Sequence, residues 1–285
     1  MNNRIKLSTV TTYKFGGYCD NFYELNNQDD LNRIESLTNF KKIFILGKGS
    51  NIAFSDKGYE GTVIRPNLND IQYDSEIDEI KVESGYYLPN LARFYKKYSL
   101  ENAEFLIGIP GSVGGAVKMN AGAYENEFSD IIKSVETYNL ETCKFERFTK
   151  GELEFSYRNS ENLKNKIVIS VNLKATPGDP KKINKNLKSY IGYRKKTQPA
   201  GIYNAGSVFK NGINYSAGEL IDKAGLKGYS VDGVKVSEKH ANFFIAPKGS
   251  KAKSLYNLVN YVKEKVDAKY GISLEKEILF VGNFE

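Results

Sequence analysis

The sequence predicts an α+β protein of two domains, and three observations predict it. The first half is a succession of short β-branched and aromatic runs separated by glycine-rich turns. The second half carries apolar residues at helical spacing, and a cluster of turn residues, Thr176-Pro-Gly-Asp-Pro180, stands between the two. The length, 285 residues, allows two modest domains that each bury a core without staples. The boundary falls at this cluster, giving domains 1–178 and 179–285, with the last strand able to pack back on the first domain.

Lys41 to Leu46 (KKIFIL) stops at Gly47 and reads as a buried strand. Further strands are expected at Thr62 to Ile64 and at Ile80 to Glu83. Leu88, Leu91, Ala92 and Tyr95 fall at helical spacing, so a helix runs to about Tyr98. Gly108 to Gly122 reads as a glycine-rich loop, followed by strands around Ser134 to Asn139 and Lys166 to Leu173. Beyond the turn cluster, Asp179 suits an N-cap and Pro180 a first helical position. Ile183, Leu187, Tyr190 and Ile191 then give that helix one apolar face. Ser216 and Glu219 fit a capping box ahead of Leu220, Ile221 and Ala224, and Gly225 suits the stop. A last long helix carries Leu255, Leu258, Val259, Val262 and Val266, ends near Gly271, and leads into a strand from Leu274 to Val281.

Composition narrows the function classes. With 40% hydrophobic and 26% charged residues, the chain is an ordinary globular one. No apolar run approaches the ~18 residues of a membrane helix, and Met1 to Lys14 lacks a signal core, so a cytoplasmic protein without a membrane partner is expected. Cys19 and Cys143 form no CxxC, and His240 is the sole histidine, so no metal site and a reducing compartment are expected. The net charge of +7 comes from lysines spread along the chain rather than in a block. Solubilising lysine explains it, and no nucleic-acid partner is expected.

Two glycine segments carry the chemistry. Gly47-Lys-Gly-Ser-Asn51 directly follows a strand, and such residues turn successive backbone N–H groups toward one anion, as a pyrophosphate cradle would. A plain tight turn satisfies the same residues. The pattern is neither GxGxxG nor GxxxxGK[ST]. Gly108 to Gly122 holds five glycines in fifteen residues, which makes sense where backbone must approach a ligand closely.

These segments, with Thr12, Phe15, Gly16 and Gly17 ahead of them, resemble the FAD-binding half of the UDP-N-acetylenolpyruvoylglucosamine reductase (MurB) family. The resemblance continues through Tyr157-Arg-Asn-Ser160, Ala205-Gly-Ser-Val-Phe-Lys-Asn211, Ala217 to Gly228 (AGELIDKAGLKG), Lys239-His-Ala-Asn-Phe243 and Leu274-Glu-Lys-Glu277, in the family's order and over nearly the whole chain. It implies an FAD-binding domain of the PCMH/VAO-like type followed by a smaller α+β substrate-binding domain. It also implies NADPH as co-substrate and reduction of UDP-N-acetylglucosamine enolpyruvate to UDP-N-acetylmuramate, in peptidoglycan precursor synthesis, by a monomer. Non-covalent FAD follows because His240 lies outside the FAD half. By the same resemblance, Gly47, Gly49, Ser50, Asn51, Gly111, Ser112, Gly114, Gly115, Asn120 and Gly122 hold the cofactor. The link from Asn211 to Ser216 is short, as in the branch without a tyrosine-bearing loop. Gly212 stands where many members have proline, and Thr11 where many have asparagine.

Three residues are implied as catalytic. Arg158 offers a planar fork to a carboxylate, although residue type alone gives only a surface arginine. Ser207 is implied as proton donor. A hydroxyl is a very weak acid that needs nearby positive charge such as Lys210, and a serine in a glycine turn is otherwise a backbone cap. Glu277 is read in a strand beside Leu279 and Val281, an apolar setting that raises a carboxyl pKa. Glu275 shares that face by periodicity, and the family pattern picks Glu277. Tyr157, Arg194, Lys210 and Asn211 are implied as substrate or NADPH contacts. The rival reading is an FAD-linked oxidase of the same fold acting on another alcohol or sugar, which fits the first two segments alone. A basic nucleic-acid-binding protein is the reading from another class.

Overall fold

The computed structural model describes residues 4–35, 42–199 and 203–285, so Lys41 of the KKIFIL run lies outside the described residues. Its strands of three residues or more are β1 Cys19–Leu25, β2 Ile43–Ile45, β3 Ile52–Phe54, β4 Tyr59–Pro66, β5 Ile71–Asp74, β6 Glu79–Glu83, β7 Ile132–Asn139, β8 Lys144–Thr149, β9 Lys166–Lys174, β10 Val234–Val236 and β11 Leu279–Val281. Its helices are α1 Leu31–Glu35, α2 Leu88–Lys97, α3 Val113–Met119, α4 Pro180–Thr197, α5 Ala217–Lys223 and α6 Ala252–Tyr270. The mixture is α+β, with antiparallel sheets predominating.

The chain packs as two compact units, one of Met1–Phe22, Gly49–Thr62 and Lys195–Glu285, the other of Tyr23–Lys48 and Val63–Arg194. This differs from a single cut at residue 178. Beyond the turn cluster, α4 buries Ile183 and Leu187 in the same core as Leu91 and Phe105. The turn redirects the chain without ending the unit. Asp179 does cap this helix, its carboxylate accepting the Lys181 N–H at 2.9 Å. Ile191, expected on the apolar face, is 41% exposed.

The unit that includes α4 is built on a five-stranded antiparallel sheet in the order β8-β7-β9-β6-β5. One face meets α2, α3 and α4 through Leu88, Leu91, Tyr95, Val113, Val117 and Ile183. The other packs on Leu25, Leu31, Ile34 and Ile64. A bulge at Ile169, where Glu136 opposes Ser170 and Thr137 opposes Val168, switches the parity of β9. Ile167 and Ile169 therefore face one core, while Val168, Val171 and Leu173 face the other. α2 starts with Pro89 in its first turn, where a missing N–H loses no bond.

The expected loop from Gly108 to Gly122 is only partly a loop, because Ser112 caps α3 within it. Val113, Ala116, Val117 and Met119 propagate the helix despite its glycines. Gly114 lets it seat against β6's end, for a Cβ there would lie 3.0 Å from Ser84 Cβ.

The second unit is organised around α6, whose Leu255, Leu258, Val259, Val262 and Val266 are all fully buried. Gly271 at φ +66° ends the helix. The expected strand from Leu274 shortens to β11, which pairs in parallel with β3 (Leu279 opposite Ile52). Before it, the Glu277 and Ile278 N–H groups both converge on the Val208 carbonyl, at 2.8 and 3.3 Å, which interrupts a regular ladder.

Replacing Ile183 by Ala is expected to destabilise the protein by about 2–5 kcal/mol, and Ile191→Ala by about 0.5 kcal/mol or less. Urea unfolding midpoints check both; equal effects would contradict the placement of α4.

Candidate active site

The first glycine segment begins where β2 ends, with Leu46 N–H donating to the Ile64 carbonyl at 2.8 Å. The next N–H groups, those of Gly47, Lys48, Gly49 and Ser50, donate to no other described residue. A run of unclaimed donors is what an oxyanion requires. Gly49 has φ +66°, and a Cβ there would meet the Val10 carbonyl oxygen at 2.3 Å and Thr11 Cα at 2.9 Å. Its own carbonyl is held by the Thr12 N–H and hydroxyl, at 3.0 and 3.1 Å. Burial holds the Lys48 ammonium below its ordinary pKa, with Arg65 adding to the effect and Glu24 opposing it.

Gly47 meets the second segment within the same unit. A Cβ on Gly47 would lie 2.8 Å from Ser112 Oγ and 3.9 Å from Gly115 Cα, so no side chain fits between them. The start of α3, however, is already satisfied. Val113, Gly114 and Gly115 donate to Tyr86 O at 3.0 Å, Ser84 O at 2.8 Å and Ser112 Oγ at 3.4 Å. Gly111 offers its carbonyl to Leu88 N–H. Gly114 thus approaches protein backbone rather than supplying an open donor. Asn120 ends α3 in the left-handed region at φ +40°. Its side-chain amide donates to Glu127 at 2.7 Å and Ser156 O at 3.1 Å and accepts from Ser129 N–H at 3.1 Å.

Arg158 sits in the same unit, at the end of this segment. Phe155-Ser156 pairs with Asn159-Ser160, leaving Tyr157 and Arg158 at the tip of a two-residue hairpin, with Arg158 at φ +57°. The guanidinium donates to Gly122 O at 3.0 Å and Asn120 O at 3.4 Å and lies 4.7 Å from the Tyr157 ring centroid. A Cβ on Gly122 would be 2.6 Å from Asn126 O and 3.1 Å from Arg158 Nη1. Arg194 lies over Gly108, where a Cβ would be 2.2 Å from Arg194 Cδ. Burial lowers its guanidinium pKa, against the opposing influence of Tyr124 and Tyr87. Tyr124, which the sequence did not single out as a contact, stacks on Tyr190 at 4.0 Å and has φ +55°.

Ser207 and Glu277 belong to the other unit, on adjoining segments. Ser207 bridges Phe243, and the next residue's carbonyl accepts the Glu277 N–H. Asn51 of the first glycine segment joins them, its side chain donating to Glu277 O at 2.9 Å. Lys210, expected to support Ser207, is paired instead with Glu275 at 2.6 Å. The β11 face read for Glu277 fails, since the strand starts only at Leu279 and Leu279 is 44% exposed. Asn211 accepts the Ala217 N–H at 3.0 Å, which spends its side-chain oxygen on the start of α5. His240 Nδ1 accepts the Asn242 N–H at 3.3 Å, which requires the neutral ring; burial lowers its pKa, and Lys227 adds to the shift.

Two family models match the chain: an FAD binding domain over residues 21–145, and the UDP-N-acetylenolpyruvoylglucosamine reductase C-terminal domain over residues 198–281. A UDP-N-acetylenolpyruvoylglucosamine reductase from Anoxybacillus flavithermus is 38% identical, over 97% of this chain and 93% of its own. The chain belongs to the UDP-N-acetylenolpyruvoylglucosamine reductase family. A second member, from Prochlorococcus marinus, is 37% identical over 98% of this chain and 97% of its own. The crystal structure of the family member from Thermus caldophilus covers 98% of both chains with a TM-score of 0.86 and 33% identity. The family's flavin fits the residues present, because Gly47 to Ser50 offers unclaimed donors for a pyrophosphate and Gly47 and Gly115 leave the approach clear of side chains.

Gly49→Ala is expected to lower the flavin bound per protein about tenfold or more, the equivalent of at least 1.4 kcal/mol; flavin absorbance relative to protein checks this. His240 ties stability to pH. Its folded pKa lies below the unfolded value near 6.5, so its contribution is intact above that value and lost as pH falls below it. Urea midpoints at pH 7.5 and 5.5 are expected to differ less in His240→Gln than in the parent.

Proposed function

We infer that this protein is an NADPH-dependent flavoenzyme that reduces UDP-N-acetylglucosamine enolpyruvate to UDP-N-acetylmuramate, a step toward peptidoglycan. The observation that carries the reading is family membership over 97% of the chain together with a nucleotide-ready run of backbone donors at Gly47 to Ser50. FAD, bound without a covalent link, supplies a hydride acceptor for NADPH and a hydride donor for the enolpyruvyl group.

The protein's residues have three tasks. Hydride arriving at the terminal carbon leaves negative charge that spreads into the substrate carboxylate. Arg158 is suited to meet it, with a guanidinium that two backbone carbonyls hold in a fixed orientation. The adjacent carbon then needs a proton, which the Ser207 hydroxyl donates. Its counter-charge must come from a group other than Lys210, whose ammonium Glu275 engages. Glu277 serves as a second acid. Tyr157, beside Arg158, and Arg194, over Gly108, contact substrate or NADPH. Lys210 and Asn211 are weaker contacts because both side chains have protein partners. The rest of the cofactor set, Gly111, Ser112, Gly114, Gly115, Asn120 and Gly122, shapes the start of α3 and the Arg158 seat rather than binding phosphate. The protein acts as a monomer in the cytoplasm. Among the described residues, no helix is long and apolar enough to cross a membrane.

Ser207→Ala is expected to preserve flavin reduction by NADPH while cutting turnover about a hundredfold or more. Stopped-flow reduction alongside steady-state NADPH oxidation checks it, and normal turnover would refute the donor role. Oxygen consumption at the rate of NADPH oxidation, without need for the enolpyruvyl sugar, would favour the oxidase reading.

A further inference from the structure

Asn242 is 3% exposed, and both ends of its side chain are spent on one residue. Its oxygen accepts the Phe209 N–H at 2.9 Å, and its nitrogen donates to the Phe209 carbonyl at 2.8 Å. Its backbone carbonyl takes the Val208 N–H at 2.9 Å. The amide side chain does for Phe209 what the peptide group of a neighbouring strand would do. A strand cannot do so here, because the chain turns: Phe243 N–H donates to His240 O, and Ser237 Oγ accepts from Lys239 and His240 N–H.

The opposite edge of the same two peptides carries Glu277. The Val208 carbonyl accepts its N–H at 2.8 Å, and Phe209 bridges Lys276. Ser207 immediately precedes this gripped dipeptide. Among the described residues, the pairings of Ser207 with Phe243 and of Phe209 with Lys276 are isolated bridges, so no continuous ladder fixes their register. An amide on a single methylene supplies one donor and one acceptor at this reach without a change of protonation.

We propose that Asn242 is a positioning residue for the proton-transfer step, locking the Val208-Phe209 backbone so that the Ser207 hydroxyl and the Glu277 carboxyl keep a fixed separation. The proposal rests on the reading of Ser207 as proton donor. Asn242 touches neither the hydroxyl nor the carboxyl, and acts through the peptide groups between them.

Asn242→Leu removes both side-chain bonds, and Asn242→Asp removes the donor only while the new carboxyl is ionised. A protonated carboxyl donates to the Phe209 carbonyl and accepts its N–H, as the amide does. The titratable groups around it are His240 in the same turn, Lys210 paired with Glu275, and Lys276 and Glu277 across the dipeptide, while α5 presents Gly218. The test measures flavin content, flavin reduction by NADPH, and reoxidation of reduced enzyme by enolpyruvyl UDP-sugar, each across pH, for both variants, the parent and Ser207→Ala.

Both Asn242 variants are expected to retain flavin and to be reduced by NADPH within about twofold of the parent, with sugar-dependent reoxidation slowed about tenfold or more. In Asn242→Asp, reoxidation relative to the parent is expected to recover as pH falls. Parent-like reoxidation in both variants, equal slowing of both half-reactions, or a flat relative profile for Asn242→Asp would overturn the proposal. Should Asn242→Leu fail to fold, the Asn242→Asp profile decides alone. Parent-like reoxidation in Ser207→Ala would instead sink the donor assignment on which the proposal stands.

Discussion

The constraint on which this structure turns is the run of main-chain donors at Gly47 to Ser50, which donate to no other described residue. The loop is held in that state from behind. Thr12 grips the Gly49 carbonyl twice, and the left-handed backbone of Gly49 fits against Val10 and Thr11 with no room for a Cβ. With the Gly49 carbonyl secured, the neighbouring N–H groups donate to no other described residue, and a phosphate-bearing cofactor is a natural acceptor. In one unit Gly47 lies against Ser112 and Gly115, and in the other Asn51 holds the backbone of Glu277.

Two of the three proposed chemical groups are fixed to a glycine segment within their own unit. Arg158 is bonded to carbonyls of Asn120 and Gly122, and Glu277 is bonded to Asn51. Preorganisation of this kind lets a charged or acidic group act without reorganising at the moment of reaction. It also explains glycine at position 122, where any side chain would press on Arg158 and the Asn126 carbonyl.

Much of this was legible in the sequence, for reasons that differ between elements. The apolar stripes of α2 and α6 declared their buried faces because helical periodicity is local, and Asp179, Ser216 and Gly271 marked helix ends through capping chemistry that is also local. The unit boundary was not legible, since turn residues at 176–180 report a change of direction, while unit membership depends on where Ile183 and Leu187 find partners. The glycine content of 108–122 concealed α3, which Ser112 caps and whose Gly114 packs closely on Ser84. The site residues divided the same way. Motif order pointed to Arg158, Ser207 and Glu277, but period-two reasoning misread the surroundings of Glu277, because a doubled contact to Val208 breaks the ladder before β11. Lys210 beside Ser207 in sequence proved to be the partner of Glu275, a pairing across 65 residues that no local pattern encodes. Asn242 carried no signal beyond its place in Lys239 to Phe243, since a side chain standing in for a strand leaves no periodicity.

Amide hydrogen exchange in flavin-stripped protein, with and without added FAD, tests the central claim most directly. The account predicts slowed exchange on FAD binding at Gly47 to Ser50, with Val113 to Gly115 already slow in the stripped protein and little changed. Protection gained at Val113 to Gly115, with none at Gly47 to Ser50, would contradict it.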